Sequence, residues 1–241
     1  MDLGIDGRTA VVTAGSKGLG LASARALAAE GARLVLVARG EGALEEAAAD
    51  LRASGAEVVT VVADVAGPEV ADRLVATAVE RFGGLDIVVA NAGGPPAGRA
   101  LEVSDDQLRA ALEVNLLASV RLVRAAVPVL RRGGWGRICC ITSYSVVQPV
   151  PTLTLSNTAR TALWAWAKTA AQDLASEGNG ITLNLALPGP HATDRMRELG
   201  GAPVMGDPAD FGKVVAFLCS QPAAFVNGAA VVVDGGATLA L

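Results

Sequence analysis

The chain predicts a doubly wound α/β domain, a mostly parallel sheet covered by helices on both faces. Two observations carry this. Short, near-continuous apolar runs alternate with longer amphipathic segments, as strands buried on both faces alternate with crossover helices. No internal repeat or low-complexity linker divides the 241 residues, and an α/β core of this length forms one domain, residues 1–241.

Thr9–Thr13 reads as the first strand and Leu19–Glu30 as a helix stopped by Gly31. Arg33–Ala38 is the second strand, and Gly42–Ser54 its helix, again closed by a glycine. Glu57–Val62 is the third strand, followed by a helix over Glu69–Phe82. Leu85–Ala90 is the fourth strand, and one long helix over Asp105–Arg131 follows, with Ser104 as its N-cap. Gly136–Ser143 is the fifth strand, Thr158–Ser176 a helix and Thr182–Leu187 the sixth strand. Pro208–Ser220 is the last helix and Ala229–Val233 the last strand. The stretch Pro188–Asp207, rich in proline and glycine, reads as a long loop over a cleft.

Hydrophobic residues make up 51% and aromatics only 3%, so small side chains suit close helix–sheet packing and disorder is excluded. A net charge of −4 without a basic stripe argues against nucleic-acid binding. Met1–Arg8 has no basic region leading into an apolar core, so no signal peptide is expected. No purely apolar run reaches the roughly 18 residues of a membrane span. A cytoplasmic protein is expected, with reduced, buried thiols at Cys139, Cys140 and Cys219 and no metal-type spacing. Cys139 and Cys140, adjacent on a strand, face opposite sides.

The first strand runs into Thr13-Ala14-Gly15-Ser16-Lys17-Gly18-Leu19-Gly20 and then directly into a helix. Glycines at such a junction let the backbone approach a pyrophosphate, and the helix N-terminus attracts its charge. The turn alone is weak evidence; its strand–turn–helix context makes it strong. The second strand ends Val37-Ala38-Arg39, with no carboxylate to bond a ribose 2′-hydroxyl. Arg39 offers a planar fork to a phosphate and Lys17 a second positive charge, so NADP(H) is the expected cofactor.

The turn resembles the T-G-x-x-x-G-x-G loop of the short-chain dehydrogenase/reductase family, and the resemblance covers essentially the whole chain. Ala14 stands where the family has its first glycine and is expected to be tolerated at a negative φ. Asp64-Val65 is similar to the family's adenine contact, and Ala90-Asn91-Ala92-Gly93 to its N-N-A-G motif with the first asparagine changed. Asn115 matches the family's helix asparagine, Pro188-Gly189 with Thr193 the segment near the nicotinamide amide, and Val233-Asp234-Gly235-Gly236 the C-terminal signature. The resemblance implies a Rossmann fold with a seven-stranded parallel sheet in the order 3-2-1-4-5-6-7.

The reaction site departs from the family. Ser143 holds the place of the serine that polarises the substrate carbonyl. Thirteen residues on, the family's Y-x-x-x-K motif is met by Ser156-Asn157-Thr158-Ala159-Arg160, and Thr161-Ala162-Leu163 keeps the family's register. The resemblance therefore implies Ser156 for the catalytic tyrosine and Arg160 for the lysine that also binds the nicotinamide ribose. A phenol ionises near pH 10 and a cation can bring it toward neutrality, whereas an alkyl hydroxyl is a far weaker acid. Arg160 stays protonated and cannot relay a proton. Tyr144, the only tyrosine, follows Ser143 directly and either enters the cleft or packs with its hydroxyl at the surface. His191, the only histidine, reads as an exposed loop residue more readily than as a substrate contact. Trp164 and Trp166, two apart on a helix, face different directions and serve packing.

Three functions follow. The first is an NADP(H)-dependent oxidoreductase on a carbonyl/alcohol pair, resembling 3-oxoacyl carrier-protein reductases and those divergent members that carry the same serine and arginine. The second is a catalytically weak or silent NADP(H)-binding protein. The third is a non-redox enzyme on the same fold; halohydrin dehalogenases are similar in using an arginine, but keep the tyrosine and abandon the nucleotide loop. The segments Gly94–Gly98, Tyr144–Pro151 and Pro188–Asp207 would line the substrate pocket, and their mostly uncharged composition suits a moderately apolar small molecule, acyl compounds included. The resemblance implies a homotetramer, with the helices Asp105–Arg131 and Thr158–Ser176 at one interface and Ala229–Leu241 at another.

Overall fold

The computed structural model describes residues 1–239; residues 240 and 241, the end of the expected interface segment, lie outside the described residues. Seven strands, β1 Thr9–Thr13, β2 Arg33–Ala38, β3 Val58–Val62, β4 Ile87–Ala90, β5 Gly136–Ile141, β6 Ile181–Pro188 and β7 Ala230–Val233, form one sheet. Its order is β3-β2-β1-β4-β5-β6-β7 and every pairing is parallel. The strands are apolar throughout because alternate residues enter two separate cores. Val11, Val88, Ile138, Cys140 and Leu185 face α3 (Val70–Phe82), α5 (Ala118–Gly133) and α6 (Thr154–Ser176). Val12, Leu36, Val89 and Cys139 face α1 (Gly18–Ala29), α2 (Glu41–Ala53) and α8 (Pro208–Leu218). Cys139 and Cys140 thus point to opposite faces, and all three cysteines are free and buried. Burial pushes the Cys140 thiol far above its ordinary range, and Cys139, beside Cys219, is likewise raised.

Local chemistry sets the helix ends. Ser104 caps α4 (Asp105–Leu112) through a reciprocal box with Gln107. Asp207 caps α8 by accepting from the Ala209 amide at 2.8 Å, and Pro208 occupies its first turn. Close helix–helix approach also needs a missing side chain: a Cβ on Gly212 of α8 would lie 2.3 Å from the Ala22 carbonyl of α1.

Four expectations are corrected. The single helix over Asp105–Arg131 is α4, then a π-helical turn at Glu113–Leu117, then α5. The helix expected from Thr158 begins at Thr154, so Ser156 sits inside it. The fifth strand ends at Ile141, and Pro188–Asp207 holds a short helix, α7 (Asp194–Glu198). Trp164 and Trp166 keep the packing role expected of them, each half-buried against the core.

Arg137 on β5 is a buried cation held by carbonyls. It donates to Ser220, Gly136 and Gly180 at 2.8–2.9 Å and lies over the Trp135 ring. Truncation strands those acceptors, each costing about 1–3 kcal/mol when unpaired. Arg137→Met is therefore expected to lose about 3 kcal/mol in urea denaturation; a loss under about 1 kcal/mol would show that water replaces the guanidinium.

Candidate active site

The strand order reverses between β1 and β4, which opens a crevice at their carboxyl ends. Thr13 bridges that point: its hydroxyl donates to the Asn91 carbonyl at 2.7 Å and accepts from the Asn91 amide at 2.8 Å. The turn from Ala14 to Gly20 packs directly against this bridge. A Cβ on Gly20 would lie 2.2 Å from the Ala14 carbonyl and 2.8 Å from the Asn91 side chain, so only glycine keeps the turn this close. Lys17 is the N-cap of α1 and is exposed; its side chain makes no cap bond, and the first turn holds no acid. Gly15 is buried in the turn, where a Cβ would lie 3.1 Å from Leu36, and Ser16, Gly18 and Leu19 are half-buried beside it. Ala14 does not adopt the negative φ expected of it. Its φ is +48°, the left-handed region, because the turn requires the glycine conformation whichever residue occupies it.

Arg39 follows β2 and is 79% exposed, with Asp64 3.9 Å away across the ends of β2 and β3. Such a pair is weak and leaves the guanidinium available to a stronger anion. Asp64 also accepts from the Ala66 amide at 3.1 Å, and Val65 packs beneath against the core.

On the other side, Ser143 follows β5 in extended backbone. Its Oγ accepts from the Ser145 amide at 3.1 Å, which leaves the hydroxyl proton for another acceptor. Tyr144 opens the short 3₁₀ turn Tyr144–Val146 and is half-buried. Arg160, one turn beyond Ser156 on α6, is 7% exposed. It donates to the carbonyls of Ile141 (3.0 Å), Thr142 (2.9 Å) and Ala92 (3.2 Å), joining the ends of β5 and β4. Nε–H and one Nη2–H have no protein partner among the described residues, nor does any carboxylate pair with it. Burial, aided by repulsion from Arg195, brings its pKa down to about 10, still cationic at neutral pH. Ser156 is buried as a residue, and its hydroxyl makes no hydrogen bond among the described residues. Asn115 lies in the π-helical turn against α6, with both amide atoms buried and unpartnered. Such turns recur at functional sites because they free backbone groups and re-aim side chains.

The segment Pro188–Asp207 is pinned at its base. A Cβ on Gly189 would sit 2.3 Å from the Asp234 Cβ, and Gly206 donates to the Pro190 carbonyl at 2.9 Å. His191 is buried rather than exposed: Nδ1 donates to the Gly189 carbonyl at 3.1 Å, and the ring meets Phe211 edge-on at 5.2 Å. It anchors the loop. Thr193 caps α7 and lies against Gly18 of the turn, 3.7 Å from where a Cβ would sit. Arg195 reaches from α7 to the Pro95 carbonyl at 2.6 Å. No sequence signal marks it, since nothing in a proline- and glycine-rich loop singles out one arginine as lying against the cleft.

No helix among the described residues is long and apolar enough to cross a membrane, and no cluster of three or more His, Cys, Asp or Glu side chains could hold a metal. The family described as enoyl-(acyl carrier protein) reductase matches residues 13–238. Dehydrogenase/reductase SDR family member 4 of Bos taurus is 34% identical over 246 residues, covering 96% of this chain and 88% of the relative. The crystal structure of L-sorbose reductase from Gluconobacter frateurii, complexed with NADPH and L-sorbose, superposes with a TM-score of 0.93 at 35% identity, covering 100% of both chains. A short-chain dehydrogenase from Burkholderia cenocepacia in complex with NADP gives a TM-score of 0.87 at 30% identity, covering 96% of this chain and 98% of that one.

The left-handed conformation costs an alanine about 1–2 kcal/mol, while glycine adds about 0.5–1 kcal/mol of unfolded-state entropy. Ala14→Gly is therefore expected to stabilise the protein by about 0.5–1 kcal/mol in thermal or urea denaturation; destabilisation would show that the alanine methyl packs productively.

Proposed function

The chain belongs to the short-chain dehydrogenase/reductase family, and on that premise we propose that it is an NADP(H)-dependent oxidoreductase acting on a carbonyl/alcohol pair through a non-standard site. The observation that carries this is the meeting of Arg160 with the backbone just before Ser143 and at Ala92. It sets a buried cation and two hydroxyls beside the crevice that the glycine turn borders.

The residues present fit the cofactor. The turn is a cradle that a side chain on Gly20 would fill, and it leads into a helix N-terminus without acids. Arg39 and Lys17 supply positive charge where a 2′-phosphate would lie. The complexes of the Gluconobacter enzyme with NADPH and of the Burkholderia enzyme with NADP support the same choice. Asp64, Val65, Asn91, Ala92, Gly93, Pro188, Gly189 and Thr193 complete the cofactor contacts that the family pattern assigns. When bound, NADPH supplies a hydride.

The protein's own groups do the rest. Ser143 polarises the substrate oxygen by donating a hydrogen bond from its free hydroxyl. Arg160 holds the nicotinamide ribose through its two unpartnered N–H groups and stays charged at neutral pH. Ser156 and Asn115 frame a space that admits water, which then delivers the proton more readily than Tyr144 does. Losing a tuned general acid forfeits about 10²–10⁴-fold, so simple ketones are slow substrates. Four copies assemble through the groove of about 390 Å³ between α5 and α6, lined by Val127, Pro128 and Trp166, and through the β7 edge, where Val232 is exposed.

NADPH is expected to bind at least tenfold more tightly than NADH, about 1.4 kcal/mol, with the preference lost in Arg39→Ala; equal affinities by calorimetry would sink the assignment. Arg160→Ala is expected to weaken NADPH binding more than Ser156→Ala. The double variant Ser156→Tyr with Arg160→Lys should raise ketone reduction by about 10²-fold or more. Normal NADPH binding without that gain would favour a silent binding protein. Light scattering is expected to give four times the 24.2 kDa chain mass, and a monomer would refute the assembly.

A further inference from the structure

The cleft holds more positive charge than the proposed reaction uses. Arg195 reaches over the crevice from α7 and donates to the Pro95 carbonyl at 2.6 Å. Its Nε lies 3.1 Å from where a Cβ on Gly94 would sit, so it rests flat on the segment that follows Gly93. Arg160 grips the same segment two residues earlier, at Ala92. The two guanidiniums are near enough to repel, and that repulsion adds to burial in lowering Arg160. The counter-charge is meagre. No acid pairs with Arg160 among the described residues, and Arg195 has only Glu198, exposed and 3.5 Å away on its own helix. Two partly desolvated cations without an acid between them are costly unless an anion joins them.

We infer that the substrate is an oxo acid whose carboxylate is bound by Arg195 beside Arg160, making Arg195 the residue that selects an anionic substrate. The inference rests on the oxidoreductase reading and deepens it. It differs from the moderately apolar substrate expected from composition, because Arg195 of α7 lies against the Gly94–Pro95 wall of the cleft. A guanidinium fork matches a planar carboxylate with two parallel hydrogen bonds. Ser143 and Ser156 remain as neutral groups for the carbonyl, so the site holds one region for the oxyanion and another for the reacting carbon.

The test uses the NADP⁺-loaded full-length protein and reads binding by calorimetry, independent of turnover. The probes are a 2-oxo acid and a 3-oxo acid, each beside its neutral methyl ester. We expect at least one acid to bind tenfold or more tightly than its ester. That ratio should fall to near one in Arg195→Ala, recover in part in Arg195→Lys, and weaken with added salt, while NADPH affinity stays within twofold of the parent. Acid and ester binding alike, or neither binding, overturns the inference. So does an Arg195→Ala variant that loses NADPH affinity and keeps the acid/ester ratio, since the charge would then serve the cofactor phosphates. Inorganic phosphate displacing the acid at equal concentration would reassign the site to phosphate esters. If the acid binds in an Arg195-dependent way yet no carbonyl compound oxidises NADPH, the inference stands and the oxidoreductase reading fails.

Discussion

The crevice opens where β1 and β4 part, and three carbonyls at and just past the ends of β4 and β5 are answered by a single guanidinium beside it. Parallel strands that part company lose their ladder partners just where a ligand must enter. Ile141, Thr142 and Ala92 would otherwise turn to water or to each other, and the crevice would lose its shape. Arg160 fixes all three. Ser143 takes its place because it directly follows one of those carbonyls, and the segment ending at Gly93 because it follows another. A shorter ammonium has no planar fork with which to hold carbonyls on two strands at once. The arginine thus has a structural reason to be where it is, separate from any part in chemistry.

That solution has an electrostatic consequence. The charge is buried, and carbonyl dipoles compensate it only in part. The protein leaves the field open toward the crevice and adds a second arginine from the far wall. Asp64 and Glu198, the acids nearest Arg39 and Arg195, sit at the exposed periphery. A ligand bearing negative charge meets a site already arranged for it, so little rearrangement opposes binding.

Much of this architecture was legible in the sequence, for definite reasons. Seven apolar runs with helical spacers leave few arrangements once handedness and burial are imposed. The glycine turn announced itself because Gly20 must approach both Ala14 and Asn91. What was not legible depends on long-range packing. The π-helical turn at Asn115 inserts one residue into a pattern that reads as continuous helix. The burial of His191 rests on Phe211, twenty residues later. Ala14 looked like a tolerable substitution because a single sequence does not display the sign of φ. Arg195 was hidden by its surroundings, since a loop without periodicity gives no direction to any side chain.

α7 is short, and its base is held by His191 and Gly206. Thr193, its cap, rests on Gly18 at the helix that follows the glycine turn; Arg195, two positions on, rests on Pro95 at the far wall. The helix is therefore a lever with one arm on each half of the cleft. A ligand that settles one arm removes part of the entropy that ordering the other would cost, even when the two never touch. Linkage makes this reciprocal: whatever affinity the first occupant lends the second, the second returns. The order of binding can then be set by which arm is harder to settle alone, without any change in the fold.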